Sequence, residues 1–257
     1  MKVILASSSP RRLDLLHQLG WEAEVFPMPF NEAKTVAEAE AEAVGAGVEA
    51  TTVTDTKRNL PAASTEASID GSVKAIAETT LEMSDQNNRL IFTEKELSLL
   101  KNYRGREAVP AYNALGKVKA TACVTGDAKP VIGADTVVLV REEILGKPQS
   151  EAEAKKMLRI LSGKTHLVKT AVAIFYQGKI DLRVVTTTVK FRSLTEEEIA
   201  WYIATGEPMD KAGAYGIQGK GTFLVESISG NYDNVVGLPI TAVYEMLQKL
   251  MGSALLA

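Results

Sequence analysis

The sequence has few residues of the types that build disulfide-bonded or zinc-bound folds. Of its 257 residues one is cysteine and two are histidine, and His17 and His166 lie far apart in the chain. A single cysteine excludes an intrachain disulfide framework, and this pattern argues against a zinc site. We expect Cys123, which lies among small residues, to be a buried apolar side chain and not a nucleophile.

Long apolar runs and an excess of positive charge are also missing. No run reaches the roughly 18 apolar residues of a transmembrane helix, and the N-terminal apolar stretch, residues 3–6, is too short for a signal peptide. The net charge of −3 gives no support for general binding to nucleic acid or to an anionic membrane. We therefore expect a cytoplasmic globular protein whose basic sites are local.

Aromatic residues are absent from residues 31–91, a segment rich in alanine, glutamate, threonine and serine. Such a composition buries little apolar surface, although residues 72–83 have a helical pattern. We expect a low-hydrophobicity insertion at about residues 33–105 that is peripheral or flexible. The chain as a whole, residues 1–257, is expected to form one domain.

Outside that segment the chain alternates strand and helix patterns, as α/β proteins do. Helices are expected after Ser9, Ser150 and Thr195, where a capping residue precedes helical periodicity. Strands are expected at residues 2–6, 130–140, 170–176 and 184–191. A last helix is expected near the C-terminus from the apolar spacing of Ile240, Val243, Leu247 and Leu250.

Two arginines, Arg11 and Arg12, lie in the first turn of the first predicted helix. Ser9 and Pro10 predict its N-cap and first residue, and Gly20 predicts its left-handed end. Free N–H groups in such a turn disfavour a cation by about 0.3–1 kcal/mol. Serine hydroxyls, N–H groups and guanidiniums at a strand-to-helix turn predict a phosphate site; the alternative is that both arginines lie in solvent.

An acidic residue, Asp135, interrupts an apolar strand pattern in Gly133-Ala-Asp-Thr136. A buried carboxylate needs a cation or a metal to offset its desolvation, so Asp135 is a candidate for site chemistry. The alternative is that the strand bulges at Gly133 and Asp135 caps a neighbouring loop. Lys147, between two turn-forming residues, either serves a phosphate as a point charge or is solvated.

The loop at residues 205–221 combines five glycines with polar side chains. Glycines let a backbone approach a ligand closely, and polar groups can read a base edge; otherwise such a loop is only a series of turns. It lacks the strand-to-helix placement of a dinucleotide-binding fingerprint. The polar candidates are Asp210, Lys211, Tyr215 and Gln218.

Together these segments resemble the Maf family of nucleotide pyrophosphatases. The matching motifs end at Arg12, Thr136, Pro148, His166, Gly219 and Pro239. The resemblance implies an elongated α/β domain with a curved mixed sheet and a central cleft, related to inosine triphosphate pyrophosphatases. It also implies hydrolysis of a nucleoside triphosphate to the monophosphate and pyrophosphate, assisted by Mg²⁺ or Mn²⁺.

The resemblance implies acidic and basic roles for particular residues. Asp135 matches the family's proton acceptor, which activates water directly or through a bound metal ion. Glu32 lies at the family's acidic position and is the second metal ligand, although Asn31 stands where many members have another acid. The lysine of the family's Leu-Ala-x-x-Lys-Ala motif aligns best with Lys119, with Lys117 as a competitor.

Substrate contacts are implied in the same way. Ser7, Arg11 and Arg12 match residues that hold the triphosphate, and Lys147 matches one that neutralises the departing pyrophosphate. Subfamilies that resemble 7-methyl-GTP hydrolases differ from this chain at Arg11, Thr136 and Gln218, which match the dTTP/UTP branch. Gln218 both donates and accepts, so it can pair with a pyrimidine's O4 and N3–H. Modified pyrimidine nucleotides are further candidate substrates.

The predicted insertion is the main departure from the family, because site residues flank it on both sides. If it displaces Glu32, the chain is a non-catalytic nucleotide-binding regulator of cell division; retention of Asp135, Lys147 and both arginines favours the enzyme. The expected partners are nucleoside triphosphates, with no nucleic acid and no membrane, and a homodimer is left open.

Overall fold

The computed structural model describes residues 1–44 and 92–252, so the helical pattern at residues 72–83 lies outside the described residues. Seven strands form one sheet in the order β2-β1-β3-β5-β6-β7, with β4 paired to β3. The strands are β1 (Lys2–Leu5), β2 (Glu22–Val25), β3 (Val131–Val140), β4 (Glu143–Leu145), β5 (Thr165–Tyr176), β6 (Lys179–Phe191) and β7 (Val225–Ser229).

Strand β1 is parallel to β2 and to β3, and the remaining pairs are antiparallel. The sheet is therefore mixed, as expected for this α/β chain. The described helices are α1 (Pro10–Gln18), α2 (Val36–Val44), α3 (Glu94–Leu100), α4 (Ala108–Thr125), α5 (Glu151–Leu161), α6 (Glu196–Ala204), α7 (Tyr232–Val236) and α8 (Ile240–Met251). No helix within the described ranges is long and apolar enough to cross a membrane.

Strand β3 carries core residues on both of its faces, which explains its nearly continuous apolar pattern. Val137 and Leu139 pack in one cluster with α4, while Val138 and Val140 pack in another with α5 and α6. Burying each such side chain contributes about 1.5–3 kcal/mol to folding. Asp135 lies in this otherwise apolar strand, so the strand's packing sets the carboxylate's position.

Helix α4 approaches β3 closely because β3 has a glycine at the crossing. A Cβ atom at Gly133 would lie 2.7 Å from Val118 Cγ2 and 3.0 Å from the Ala114 carbonyl oxygen. Any larger residue would force the helix away from the strand. The strand does not bulge at Gly133: its pairing with β5 is continuous from Val131 to Leu139. The alternative interpretation of Asp135, based on a bulge, is therefore wrong.

The local helix signals are confirmed with one difference. Helix α1 begins at Pro10, and Gly20 has a positive φ of 71°. Thr195 and Glu198 form the capping box expected at α6. Ser9 lies at the N-cap position but its hydroxyl makes no capping hydrogen bond. Instead, the Ser9 N–H donates to Ser7 Oγ at 3.2 Å, which turns the chain at the start of α1.

Strands β5 and β6 begin earlier than their apolar patterns predict, at Thr165 and Lys179. Polar residues interrupt the pattern at the first positions of both strands, so hydrophobicity alone does not reveal them. Between the two strands Gln177 and Gly178 both have positive φ, the backbone that a two-residue hairpin turn requires. The long hairpin extends the sheet on the side of β3 opposite to β1.

The described ends of the predicted insertion belong to the core, in contrast to the expectation of a peripheral segment. Ala33, Ala39, Phe92 and Leu100 are buried in the cluster that contains the inner face of α4. Alanine has little apolar surface, but it lets helices pack closely, which composition does not reveal. Thus α2 and α3 are anchored on both sides of residues 45–91.

Candidate active site

One cleft gathers all but one of the sequence-predicted site residues. It has a volume of about 430 Å³ and lies where β1 meets α1, between β3 and the glycine-rich loop. Its lining includes Ser7, Arg11, Arg12, Glu32, Asp135, Thr136, Lys147 and Gln218. Residues more than 200 positions apart in the sequence thus face the same space.

Arg12 is held in the cleft by three neutral acceptors. Its Nε donates to the Gly237 carbonyl at 2.8 Å, and its two terminal nitrogens donate to Ser7 Oγ at 3.0 Å and to Thr136 Oγ1 at 3.1 Å. Burial lowers the pKa of Arg12, and the nearby Asp135 opposes that shift. Because none of the three acceptors carries a charge, the guanidinium remains available to an anion.

Arg11 reaches across the cleft to the glycine-rich loop. Its Nη1 donates to Asp210 Oδ2 at 2.8 Å, and Lys211 Nζ donates to Asp210 Oδ1 at 2.6 Å. Burial raises the pKa of Asp210, but the hydrogen bonds from Lys211 and Arg11 outweigh it, and the net shift is downward. We call Ser7, Arg11 and Arg12 the cationic half of the cleft.

The opposite side of the cleft carries two carboxylates bridged by a lysine. Lys117 Nζ lies 2.7 Å from Asp135 Oδ1 and 3.1 Å from Glu32 Oε1. The Lys117 and Asp135 side chains are 15% exposed, whereas Glu32 is 51% exposed. Asn113 Nδ2 donates to the other oxygen of Asp135 at 3.1 Å. We call Glu32, Lys117 and Asp135 the carboxylate half.

Lys119, the lysine that aligned best with the family motif, is the one predicted residue not brought to the cleft. It is buried on α4, with its Nζ 2.5 Å from Glu96 Oε2 on α3. Residues two apart on a helix point to different faces, so Lys117 and Lys119 cannot both face Asp135. Of these two lysines, Lys117, the competitor in the motif match, is the one that lines the cleft. The sequence feature that could have identified Lys117 is Asn113, which lies one helical turn earlier on the same face of α4.

A buried aromatic cluster supports the glycine-rich loop from inside the protein. Tyr215 lines the cleft, but its hydroxyl lies 2.7 Å from His166 Nε2, so it is used inside the protein. Burial lowers the pKa of His166 to about 4, so the imidazole is neutral near pH 7. Burial also raises the pKa of Tyr215. Of the loop's candidates for base recognition, Gln218 lines the cleft and is only half-buried.

Lys147 is exposed at the edge of the cleft, on the loop that follows β4. Its position depends on the preceding residue, because the Gly146 carbonyl accepts a hydrogen bond from the Gly213 N–H at 2.9 Å. This bond ties the lysine loop to the glycine-rich loop. A mobile ammonium on a fixed loop can follow an anion that moves during a reaction.

Two residues of the carboxylate half could hold a divalent cation together with a substrate. Mg²⁺ uses one or two carboxylates together with phosphate oxygens and waters. Asp135 and Glu32 supply two carboxylates, each with one oxygen on Lys117 Nζ, so a bound cation would share them with that ammonium. Within residues 1–44 and 92–252, no group of three or more histidine, cysteine, aspartate or glutamate side chains could hold a metal ion.

Cys123 is half-buried on α4, and burial raises the pKa of its thiol.

Comparisons with known proteins find one matching family model and several similar proteins. Residues 73–250 match a family model described as Maf-like protein; the match begins inside the predicted insertion. A dTTP/UTP pyrophosphatase of Thermococcus kodakarensis is 53% identical over 141 residues, which cover 55% of this chain and 70% of that protein. One of Escherichia coli O157:H7 is 53% identical over 135 residues, which cover 52% and 68%. One of Bacillus mycoides is 46% identical over 169 residues, which cover 66% and 87%.

Proposed function

The chain belongs to the family of Maf-like proteins, and from this premise we propose that it hydrolyses dTTP and UTP to the nucleoside monophosphate and pyrophosphate. The observation that carries the proposal is the joining of a cationic half and a carboxylate half in one cleft. The names of the relatives described above support the choice of dTTP and UTP.

The cationic half binds the triphosphate. The free N–H groups at the start of α1 favour an anion there, and Arg11 and Arg12 add two guanidiniums in the same turn. Arg12 is already oriented by neutral partners, so it meets the phosphate without first breaking an ion pair. Arg11 exchanges Asp210 for phosphate oxygens, which costs it one exposed ion pair.

The carboxylate half activates the water. Asp135 accepts a proton from a water molecule whose oxygen attacks the α-phosphorus; the bond from that phosphorus to the oxygen bridging to the β-phosphorus breaks, and its electrons leave with pyrophosphate. Lys117 orients Asp135 through the hydrogen bond to Oδ1. Lys147 neutralises the charge that develops on the leaving pyrophosphate.

We assign Asp135 and Glu32 as the ligands of a divalent cation, Mg²⁺ or Mn²⁺. Such an ion, when bound, would supply a water of lowered pKa and positive charge near the phosphates. Two carboxylates are the number that Mg²⁺ commonly takes from a protein when the substrate provides the remaining oxygens. The cytoplasmic location and a homodimer stay predictions.

A non-catalytic regulatory role is not favoured. That alternative requires the insertion to displace Glu32, yet Glu32 lines the cleft beside Lys117 and the residue after it is buried in the core. Both halves of the cleft therefore retain the groups that hydrolysis needs.

The test is to identify the products by ³¹P NMR after incubation of the full chain with each nucleotide and Mg²⁺. We expect pyrophosphate and nucleoside monophosphate from dTTP and UTP, with slower turnover of CTP and 7-methyl-GTP. Orthophosphate and nucleoside diphosphate as the sole early products contradict the proposal. No turnover with Mg²⁺, Mn²⁺ or Co²⁺ also contradicts it.

A further inference from the structure

Asn113 on α4 has a buried side-chain amide whose donors and acceptor are all used near the cleft. The residue is 3% exposed. Its Oδ1 accepts the Ala33 N–H at 2.8 Å, and its Nδ2 donates to the Ala33 carbonyl at 3.0 Å and to Asp135 Oδ2 at 3.1 Å. A buried amide is costly unless it is paired, and here the pairing joins two separate segments of the chain.

The segment held through Ala33 is the one that carries Glu32. Residues 26–34 have no regular secondary structure, so no helix or strand hydrogen bonds fix them. The Glu32 side chain is 51% exposed and meets Lys117. Its backbone neighbour, Ala33, is held on both its N–H and its carbonyl by Asn113. The amide thereby sets where Glu32 can reach.

The same amide fixes the second carboxylate. Asp135 receives Lys117 on Oδ1 and Asn113 on Oδ2, and these two donors lie four residues apart on one face of α4. A carboxylate held on both oxygens cannot rotate about its last bond. Each oxygen keeps a further lone pair, and Asp135 lines the cleft.

We propose that Asn113 is a positioning residue that aligns Glu32 and Asp135 for the reaction, an inference that rests on the proposed function. Its amide sets the distance between the two carboxylates, because it is hydrogen-bonded both to Ala33, next to Glu32, and to Asp135 on β3. Ala33 lies three residues before Val36, where α2 begins.

The test is Asn113→Ala, read by kinetics and by hydrogen exchange. We expect kcat to fall by about 10–100-fold, since a misplacement of about 1 Å in a reacting group can cost about 100-fold. KM for dTTP should stay within about threefold, because the hydrogen bonds of the Asn113 side chain go to Ala33 and Asp135 and to no residue of the cationic half. Exchange of the Ala33 amide, which Asn113 protects, should accelerate.

Thr121→Val is the matched control. Thr121 is fully buried on the same helix, and its hydroxyl donates to the Phe26 carbonyl of the same connecting segment at 3.0 Å. This variant should lower the melting temperature, yet leave kcat and the Ala33 exchange unchanged. If Asn113→Ala does not fold, Asn113→Ser takes its place in every measurement.

Retention of kcat in a folded Asn113 variant overturns the inference, whatever the Ala33 exchange does. An equal loss of kcat in Thr121→Val also overturns it, because the effect is then one of general stability. If the unaltered protein releases no pyrophosphate from any nucleotide, the proposed function fails. The Ala33 exchange then decides the positioning claim: no acceleration in Asn113→Ala relative to Thr121→Val rejects it.

Discussion

The two halves of the cleft hold their charges in opposite ways. In the cationic half Arg12 is surrounded by neutral oxygens, and Arg11 shares its carboxylate partner with a lysine. In the carboxylate half a single ammonium lies between two carboxylates. Each half therefore keeps an excess of its own charge. Under the proposed function, this difference in charge separates anion binding from proton transfer within one small cleft.

The comparison predicts that damage to the carboxylate half affects kcat most. Asp135→Asn preserves the shape of the side chain but removes the proton acceptor, so kcat should fall by about 100-fold or more. Steady-state kinetics with dTTP measure this. Asp127→Asn, at an exposed position after α4, is the matched control and should keep full activity. A folded Asp135→Asn with an unchanged kcat would remove this carboxylate from the mechanism.

Damage to the cationic half should appear in KM. Arg12→Ala removes one charged donor to phosphate, worth about 1.5–3 kcal/mol, so KM for dTTP should rise by about 10–100-fold. Arg11→Ala should raise KM less, because Arg11 gives up its ion pair with Asp210 to bind phosphate. If Arg12→Ala instead abolished kcat at every pH and left KM unchanged, the two halves would not have separate roles in binding and chemistry.

The halves also differ in how well the sequence predicts them. The cationic half comes from one continuous segment at a strand-to-helix turn, so capping and charge rules identify it. The carboxylate half joins a loop, α4 and β3. The face of α4 that packs on Gly133 decides which lysine reaches Asp135, and a motif match does not show which face that is. Burial of Ala33 and Ala39 was missed because composition does not reveal close helix packing.

We expect base selection to depend on Gln218, which lines the cleft outside both halves. Gln218→Glu replaces an amide donor by a group that only accepts, which leaves the pyrimidine O4 unpaired at a cost of about 1–3 kcal/mol. The preference for dTTP over other nucleotides in kcat/KM should fall by about 10-fold. Gln18→Glu, at the exposed end of α1 and outside the cleft lining, is the control. A wild-type preference across dTTP, UTP, CTP and 7-methyl-GTP would place base recognition elsewhere.

The smallest expected effect is a pH-dependent loss of folding stability at His166, which supports the glycine-rich loop through Tyr215. The pKa of His166 is lowered to about 4 in the fold, against 6.5 when unperturbed, so the unfolded chain binds the extra proton first as pH falls. Stability should therefore be lost between pH 6.5 and 4, by about 1 kcal/mol from pH 7 to 5.5. Denaturant unfolding of His166→Gln should lack this loss. The exposed His17→Gln should keep it; an equal change in both variants would contradict the assignment.

The separation of binding from chemistry is tested most directly by titrating the α,β-methylene analogue of dTTP into Asp135→Asn and Arg12→Ala in a calorimeter. EDTA is present, so that no divalent cation contributes to binding. Asp135→Asn should bind the analogue within about threefold of the unaltered protein, and Arg12→Ala should bind it at least about tenfold more weakly. Loss of binding in Asp135→Asn with retained binding in Arg12→Ala would contradict the account.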